Sequence, residues 1–251
     1  MLISLDCQTY NSVVQSISQL FEITVSQIEN FLTNLDLDEY FEKYEPTDSP
    51  DDVLFMLFKK NLSKLKREIE KIYWFHLTST PINTDFKEGL LPLTSSINLV
   101  WDKLESILTD TSHYENIIKL RKNGVPSRHF TIKTKNHMFS GPYAILIRDC
   151  AFELDHKKYL QMPEIVEDIL EGYKITYGID IRNLVEKSFK PCIVKFWSKK
   201  RIDLYCIKTA LYYLYTVLKG NKFSIHTNTC YDGYNEKIIY EQIEKVEYLN
   251  I

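Results

Sequence analysis

The segment Tyr234–Tyr240, near the end of the chain, reads YNEKIIY. A single carboxylate, Glu236, precedes an apolar run of β-branched and aromatic side chains, and such a run is typical of a buried strand. An earlier aromatic run, Tyr73–Leu77, has the same character and carries His76 near its end. The two segments predict strands of one fold, one with a carboxylate and the other with an imidazole at its end.

Composition predicts one large globular domain, or one domain with a small appendage, in a chain of 251 residues. Apolar residues make up 44% of the chain, which is enough for a sizeable core. The five cysteines form no CxxC pair, so a disulfide framework and a zinc site are disfavoured and no metal is expected. No apolar run approaches the roughly 20 residues of a membrane span. We expect a cytoplasmic protein without a membrane partner.

The net charge of −3 is unevenly distributed. Residues 1–50 carry nine acidic side chains against Lys43 alone, so the remainder is mildly basic. A helix-start signal at Thr47–Pro50 marks a soft boundary. We therefore predict a helical, acidic segment over residues 1–46 and the main domain over 47–251. The acidic segment is interpreted as a solvated surface or as a surface that shields or docks elsewhere.

Helical and strand-like periodicities mix along the chain without a regular βαβ alternation, which predicts an α+β fold. Helices are predicted at 11–35, from Pro50 to about Lys71, at 98–108, from Pro163 to Gly172, at 181–187 and at 203–218. Strands are predicted at 72–77, 129–134, 143–148, 192–197, 223–226, 230–231 and 237–240. The segment 109–128 is polar and turn-rich, and a loop is predicted at 123–128. Neither GxGxxG nor GxxxxGK[ST] occurs, so Rossmann and P-loop nucleotide sites are disfavoured.

The segment around Glu236 resembles the late strand of the poly(ADP-ribose) polymerase branch of ADP-ribosyltransferases, where an Asn-Glu-aromatic-Ile-Val-Tyr pattern carries the catalytic Glu. Asn235, Glu236, Ile238 and Tyr240 match this pattern. Lys237 stands where the family usually has an aromatic residue.

His76 and Thr78 resemble the family's first NAD-binding motif, His-Gly-Thr or His-Gly-Ser, with Leu77 in place of the Gly. Phe86 and the run Gly89–Pro92 resemble the stretch that follows this motif in many members. His76 precedes Glu236 in the chain, which is the family's order. The resemblance covers roughly residues 72–93 and 230–249.

The resemblance implies an ADP-ribosyltransferase-like split mixed sheet with flanking helices, and NAD as the substrate. His76, Leu77 and Thr78 would position NAD, and Glu236 would stabilise the ribosyl cation. The family's third site residue is usually a Tyr that stacks on nicotinamide; Tyr143 is the candidate, with Phe130 and Tyr159 as rivals. The implied activity is transfer of ADP-ribose to a nucleic acid or a protein, as in bacterial or phage conflict proteins and toxins.

Two other interpretations stay open. The departures at Leu77 and Lys237 favour an inactive module of the same fold that binds a nucleotide or a protein. Alternatively, the acidic segment is the functional surface of a structural or regulatory protein with its own protein partner. Two basic stretches with aromatic neighbours, His156–Tyr159 and Ser198–Arg201, are suitable for phosphate contact but are more often solvated faces.

Overall fold

The computed structural model describes residues 3–81, 84–135 and 140–250, which form two compact units. Unit 1 takes in the described residues of Met1–Phe75, Ala144–Glu153 and Phe196–Tyr231. Unit 2 takes in those of His76–Tyr143, Leu154–Lys195 and Asp232–Ile251. The acidic residues predicted as a separate segment, 1–46, fall within unit 1.

The helices and strands alternate irregularly along the chain, and the prediction of a mixed α+β fold is confirmed. The helices are α1 Tyr10–Phe21, α2 Val25–Asn34, α3 Leu37–Tyr44, α4 Pro50–Asn61, α5 Leu93–Leu108, α6 Tyr114–Asn123, α7 Arg128–Lys135, α8 Leu154–Gln161, α9 Glu164–Tyr177, α10 Arg182–Glu186 and α11 Leu204–Leu218. The strands are β1 Ile3–Leu5, β2 Ile69–Pro81, β3 Tyr143–Ile145, β4 Phe189–Ser198, β5 Cys230–Asp232 and β6 Ile243–Tyr248.

The described strands form one sheet in the order β5-β3-β2-β4-β6, and β1 pairs with β2 outside this path. The pair β1–β2 is parallel, with Leu5 opposite Ile72. The pair β2–β3 is antiparallel, with Phe75 opposite Ile145. Strands β2, β3, β4 and β5 have residues in both units.

The core of unit 1 lies among α1, α4 and α11, which bury apolar side chains against one another. The rings of Phe21 and Phe58 meet edge to face, with centroids 4.9 Å apart. Helix α11 is apolar on most faces and buries nine of its side chains, as its sequence predicts. Asp203 caps its N-terminus by accepting a hydrogen bond from the Cys206 backbone N–H.

The core of unit 2 is a separate apolar cluster contributed mainly by α5, α6 and α9, with Trp101, Leu104 and Tyr173 among its largest or most buried members. Helix α9 continues through Gly172, the predicted stop, and ends at Gly178, whose φ of 71° is left-handed. Gly172 has a packing role instead, because a Cβ there would lie 2.3 Å from Cγ1 of Val125.

Several predicted elements are wrong. The predicted strand at 129–134 is helix α7, where Ser127 accepts hydrogen bonds from the backbone N–H groups of Phe130 and Thr131 and so starts a helical turn. The polar segment at 109–128 contains α6, whereas the loop predicted at 123–128 agrees with the irregular residues 124–127 between α6 and α7. The helix predicted to reach Lys71 ends at Asn61. Residues 225–227 form a 3-10 turn instead of a strand.

The predicted strand at 237–240 is also wrong, and so is the placement of Glu236 at the start of a strand. Tyr234 and Asn235 adopt left-handed backbone conformations, with φ of 47° and 64°, so the chain turns before Glu236. Only Ile238 then makes a bridge, and a 3-10 turn follows at Tyr240–Gln242. The strand of this region is β6, which begins at Ile243.

In the described part of the chain, no helix combines the length and the apolar character that a membrane crossing requires.

Candidate functional site

The imidazole of His76 is hydrogen-bonded to the backbone of Tyr143, both in unit 2. Nδ1 of His76 lies 2.6 Å from the Tyr143 carbonyl oxygen. Because a carbonyl can only accept, Nδ1 must carry the proton. Burial lowers the pKa of His76, and the bond to Tyr143 opposes this shift without reversing it. The ring is therefore neutral at pH 7, and its Nε2 atom has a lone pair with which to accept a hydrogen bond.

Tyr143 begins β3 and exposes 44% of its surface. Partial burial raises the pKa of its phenol, and the nearby carboxylates of Asp232 and Glu164 raise it further. The side chain is therefore an uncharged, partly exposed aromatic ring in an acidic surrounding. Such a ring has a face on which a flat ligand could stack.

The turn that carries Glu236 is bonded to the residues directly before Tyr143. The N–H of Gly233 donates to the Pro142 carbonyl at 3.0 Å, and the N–H of Asn235 donates to the Gly141 carbonyl at 3.1 Å. The N–H of Glu236 closes the turn by donating to Gly233 at 2.9 Å. A Cβ on Gly233 would lie 2.7 Å from Cδ of Pro142, so this approach requires a glycine.

The side chain of Asn235 fixes the same turn from a second direction. Its Oδ1 accepts hydrogen bonds from Oγ of Ser140, at 3.0 Å, and from Oγ1 of Thr94. The Leu93 N–H in turn donates to the Ser140 carbonyl at 2.8 Å. Thr94 and Ser140 were missed in the sequence, because isolated hydroxyl residues carry no pattern that marks a buried hydrogen-bond partner.

Parts of the two segments that resemble the family lie side by side within unit 2. Leu90 and Ile238 exchange backbone hydrogen bonds of 2.9 and 3.0 Å in an antiparallel bridge. Gly89, with a φ of 80°, approaches so closely that a Cβ would lie 2.0 Å from the Ile238 carbonyl oxygen. Gly89 is thus needed for the close contact with the backbone of Ile238.

The structure therefore brings His76 and Tyr143 into direct contact and connects the turn of Glu236 to Gly141 and Pro142, the two residues before Tyr143, through backbone hydrogen bonds. Glu236 itself is exposed. Leu77 and Thr78 follow His76 in β2 and are half-buried, and the Thr78 hydroxyl is bonded locally to the Ser79 carbonyl.

The rival aromatic residues lie on helices. Phe130, on α7, packs edge to face with Trp101 of the unit 2 core, their ring centroids 6.2 Å apart. Tyr159, on α8, lies beside His156, with ring centroids 6.4 Å apart, and under the ammonium group of Lys158. Neither has a hydrogen bond to His76 comparable to that of the Tyr143 backbone.

Among the residues that the structure describes, no group of three or more His, Cys, Asp or Glu side chains is arranged to hold a metal ion. Comparison of the chain with protein-family models, with curated proteins and with solved structures found no match in any of the three.

Proposed function

We propose that this chain cleaves NAD and transfers ADP-ribose to a macromolecular acceptor through a site built on His76, Tyr143 and Glu236. The proposal includes an ADP-ribosyltransferase-like fold for the sheet that carries His76 and Tyr143. It rests on one observation above all. His76 is bonded to the backbone of Tyr143 at 2.6 Å, and the turn of Glu236 is bonded to the two residues before Tyr143.

His76 is suited to hold a ribose hydroxyl. Its Nδ1 proton is committed to the Tyr143 carbonyl, so Nε2 accepts from an O–H group of the ligand. Leu77 and Thr78, which follow it in β2, would line the nicotinamide end of the ligand. The exposed ring of Tyr143 would stack on nicotinamide.

Glu236 is suited to stabilise the charge that develops in the reaction. When the bond between ribose C1′ and the nicotinamide nitrogen breaks, nicotinamide leaves with the electron pair and C1′ becomes cationic. A lone pair of the acceptor then forms the new bond to C1′, and the acceptor loses its proton. The carboxylate of Glu236 stabilises the cationic state, and the acidic groups near Tyr143, Asp232 and Glu164, add to the same field.

Release of nicotinamide from NAD by the purified chain tests the proposal. We expect slow hydrolysis without an acceptor, and loss of about a hundredfold or more of that rate in Glu236→Gln. Binding of NAD, measured by calorimetry, should be little changed in this variant. Tyr143→Ala should weaken binding, while Tyr143→Phe, which keeps the ring, should preserve it.

Glu241→Gln is the matched control, because Glu241 is an exposed carboxylate of unit 2 a few residues further along the chain. It should release nicotinamide at the wild-type rate. Equal losses in Glu236→Gln and Glu241→Gln would contradict the assignment of Glu236.

A second candidate is a module of the same kind that binds a nucleotide without cleaving it. The exposed position of Glu236, in an irregular segment instead of a strand, favours this alternative, as do the departures from the family pattern at Leu77 and Lys237. NAD binding that depends on His76 and Tyr143, with no nicotinamide release under any condition, would select it.

A further inference from the structure

A lysine lies between two aromatic rings on the sheet of unit 1. The ammonium nitrogen of Lys71, on β2, is 4.9 Å from the ring centroid of Tyr73 and 5.4 Å from that of Trp197, on β4. Both rings are half-buried, which holds them in place while leaving part of their surface open. Positive charge and flat aromatic surface are thus combined on neighbouring strands.

The loop after Trp197 adds three exposed cations, Lys199, Lys200 and Arg201. Lys199 reaches Glu70 of β2, with Nζ 2.7 Å from the carboxylate, so the first cation of the loop lies beside the start of the strand that carries Lys71 and Tyr73. Both partners of this pair are partly exposed, so the ion pair is weak and open to exchange with another anion. We call Lys71, Tyr73, Trp197, Lys199, Lys200 and Arg201 the basic face.

The loop has an unusual backbone. Arg201 adopts a φ of 59°, a left-handed conformation that is uncommon for a long side chain without a structural constraint. The Lys200 N–H donates to the Ser198 hydroxyl, and Asp203 begins α11 two residues after Arg201. The three cations are therefore exposed on a short loop between β4 and α11, and the backbone of this loop is constrained.

We propose that the basic face binds single-stranded nucleic acid. Its cations would contact successive phosphates, and the rings of Tyr73 and Trp197 would stack with bases. A duplex keeps its bases stacked on one another, so it could use the cations but not the rings. An acidic peptide or an anionic membrane would likewise use charge alone.

The inference concerns unit 1 and does not depend on NAD cleavage. If the proposed function also holds, nucleic acid is the acceptor class, and that extension rests on the proposed function. Binding is measured here without NAD, so a failure of binding and a failure of nicotinamide release are separate results.

Fluorescence anisotropy with the full chain and a labelled 12-nucleotide oligothymidylate provides the test. We expect binding at 50 mM salt that weakens about twentyfold at 200 mM, as three released phosphate counterions predict. A blunt duplex of the same length should bind more weakly. The same titration with vesicles containing anionic phospholipid should show weaker association than with the oligonucleotide, because the vesicle surface uses the charge but not the rings.

The double variant Lys199→Glu/Lys200→Glu should weaken oligonucleotide binding about tenfold or more. The matched control is Lys157→Glu/Lys158→Glu, which reverses two exposed lysines beside Tyr159 in the other basic stretch of the chain. The control changes the net charge equally and should reduce affinity less than twofold.

Trp197→Leu should weaken binding about fivefold or more, whereas Trp197→Phe, which keeps an aromatic face, should retain most of the affinity. Circular dichroism identifies any variant that fails to fold. In that case the lysine variants, which lie on an exposed loop, decide the question. No binding at 50 mM salt, equal losses in the two lysine pairs, or stronger binding to anionic vesicles than to the oligonucleotide would overturn the proposal.

Discussion

Gly89 packs against the backbone of Ile238 so closely that a Cβ at position 89 would lie 2.0 Å from the Ile238 carbonyl oxygen. Two segments remote in sequence are thereby joined in unit 2, next to the turn of Asn235 and Glu236. The contact is between backbone atoms, which cannot move aside as a flexible side chain can. This junction, the hydrogen bond between Thr94 and Asn235, and the contacts of two histidines can each be tested by substitution.

Gly89→Ala should lower the free energy of unfolding by about 3 kcal/mol or more, because it combines a left-handed φ with a backbone clash. Gly178→Ala is the control. Gly178 has a φ of 71° with nothing within 4 Å of its Cβ position, so it should lose only about 1 kcal/mol. Urea unfolding measures both. Similar losses in the two variants would show that the approach to Ile238 is not tight.

Thr94 and Asn235 should be energetically coupled. Thr94→Val removes the hydroxyl that donates to Asn235, and Asn235→Ala removes its acceptor. Each should cost about 1–2 kcal/mol, and the double variant should cost less than their sum by about 0.5 kcal/mol or more. A double-mutant cycle by urea unfolding measures this term. Strict additivity would mean that the hydrogen bond contributes nothing to stability.

His76 should make stability depend on pH. Its folded-state pKa is lowered from 6.5, so the unfolded chain binds a proton at a higher pH than the folded chain. This contribution to stability is complete above pH 6.5 and is lost as the pH falls below it. The difference in unfolding free energy between wild type and His76→Asn should therefore shrink from pH 7.5 to pH 5. A difference that is constant over this range would contradict the lowered pKa.

His226 should stabilise the buried side chain of Asp51. Asp51 is 1% exposed and lies 3.0 Å from Nδ1 of His226, in ion-pair range, while no donor in the described residues is aligned for a hydrogen bond to either of its side-chain oxygens. His226→Ala should cost about 3 kcal/mol, because it leaves this carboxylate buried without its partner.

Adding Asp51→Asn to His226→Ala should recover part of that loss, since the uncompensated charge is then gone. Lys174→Ala is the control, because its pair with Asp180 is about half exposed on both sides and should contribute little to stability. Thermal or urea unfolding measures all of these variants. An unchanged stability in His226→Ala would mean that Asp51 is balanced by another group.

Sequence patterns predicted helices and strands correctly where the spacing of apolar residues matches the side chains that the structure buries. The apolar spacing of residues 203–218 predicts α11 closely, and the run at 192–197, apolar except for Lys195, predicts the centre of β4. The alternation at 129–134 failed, because α7 is short and polar and is held by local hydrogen bonds and by the ion pair of Lys133 with Asp168. A pattern of period two over six residues cannot be distinguished from such a helix by hydrophobicity.

The sequence alone determined the fold class and the residue types at the candidate site, because both depend on local composition and periodicity. Only the tertiary structure decided that His76 bonds to Tyr143, that Asn235 joins Thr94 to Ser140, and that Glu236 follows a turn instead of opening a strand. These outcomes depend on hydrogen bonds between residues distant in the chain. The side chain of Asn235, in the left-handed backbone, accepts hydrogen bonds from Thr94 and Ser140, which are distant in the chain.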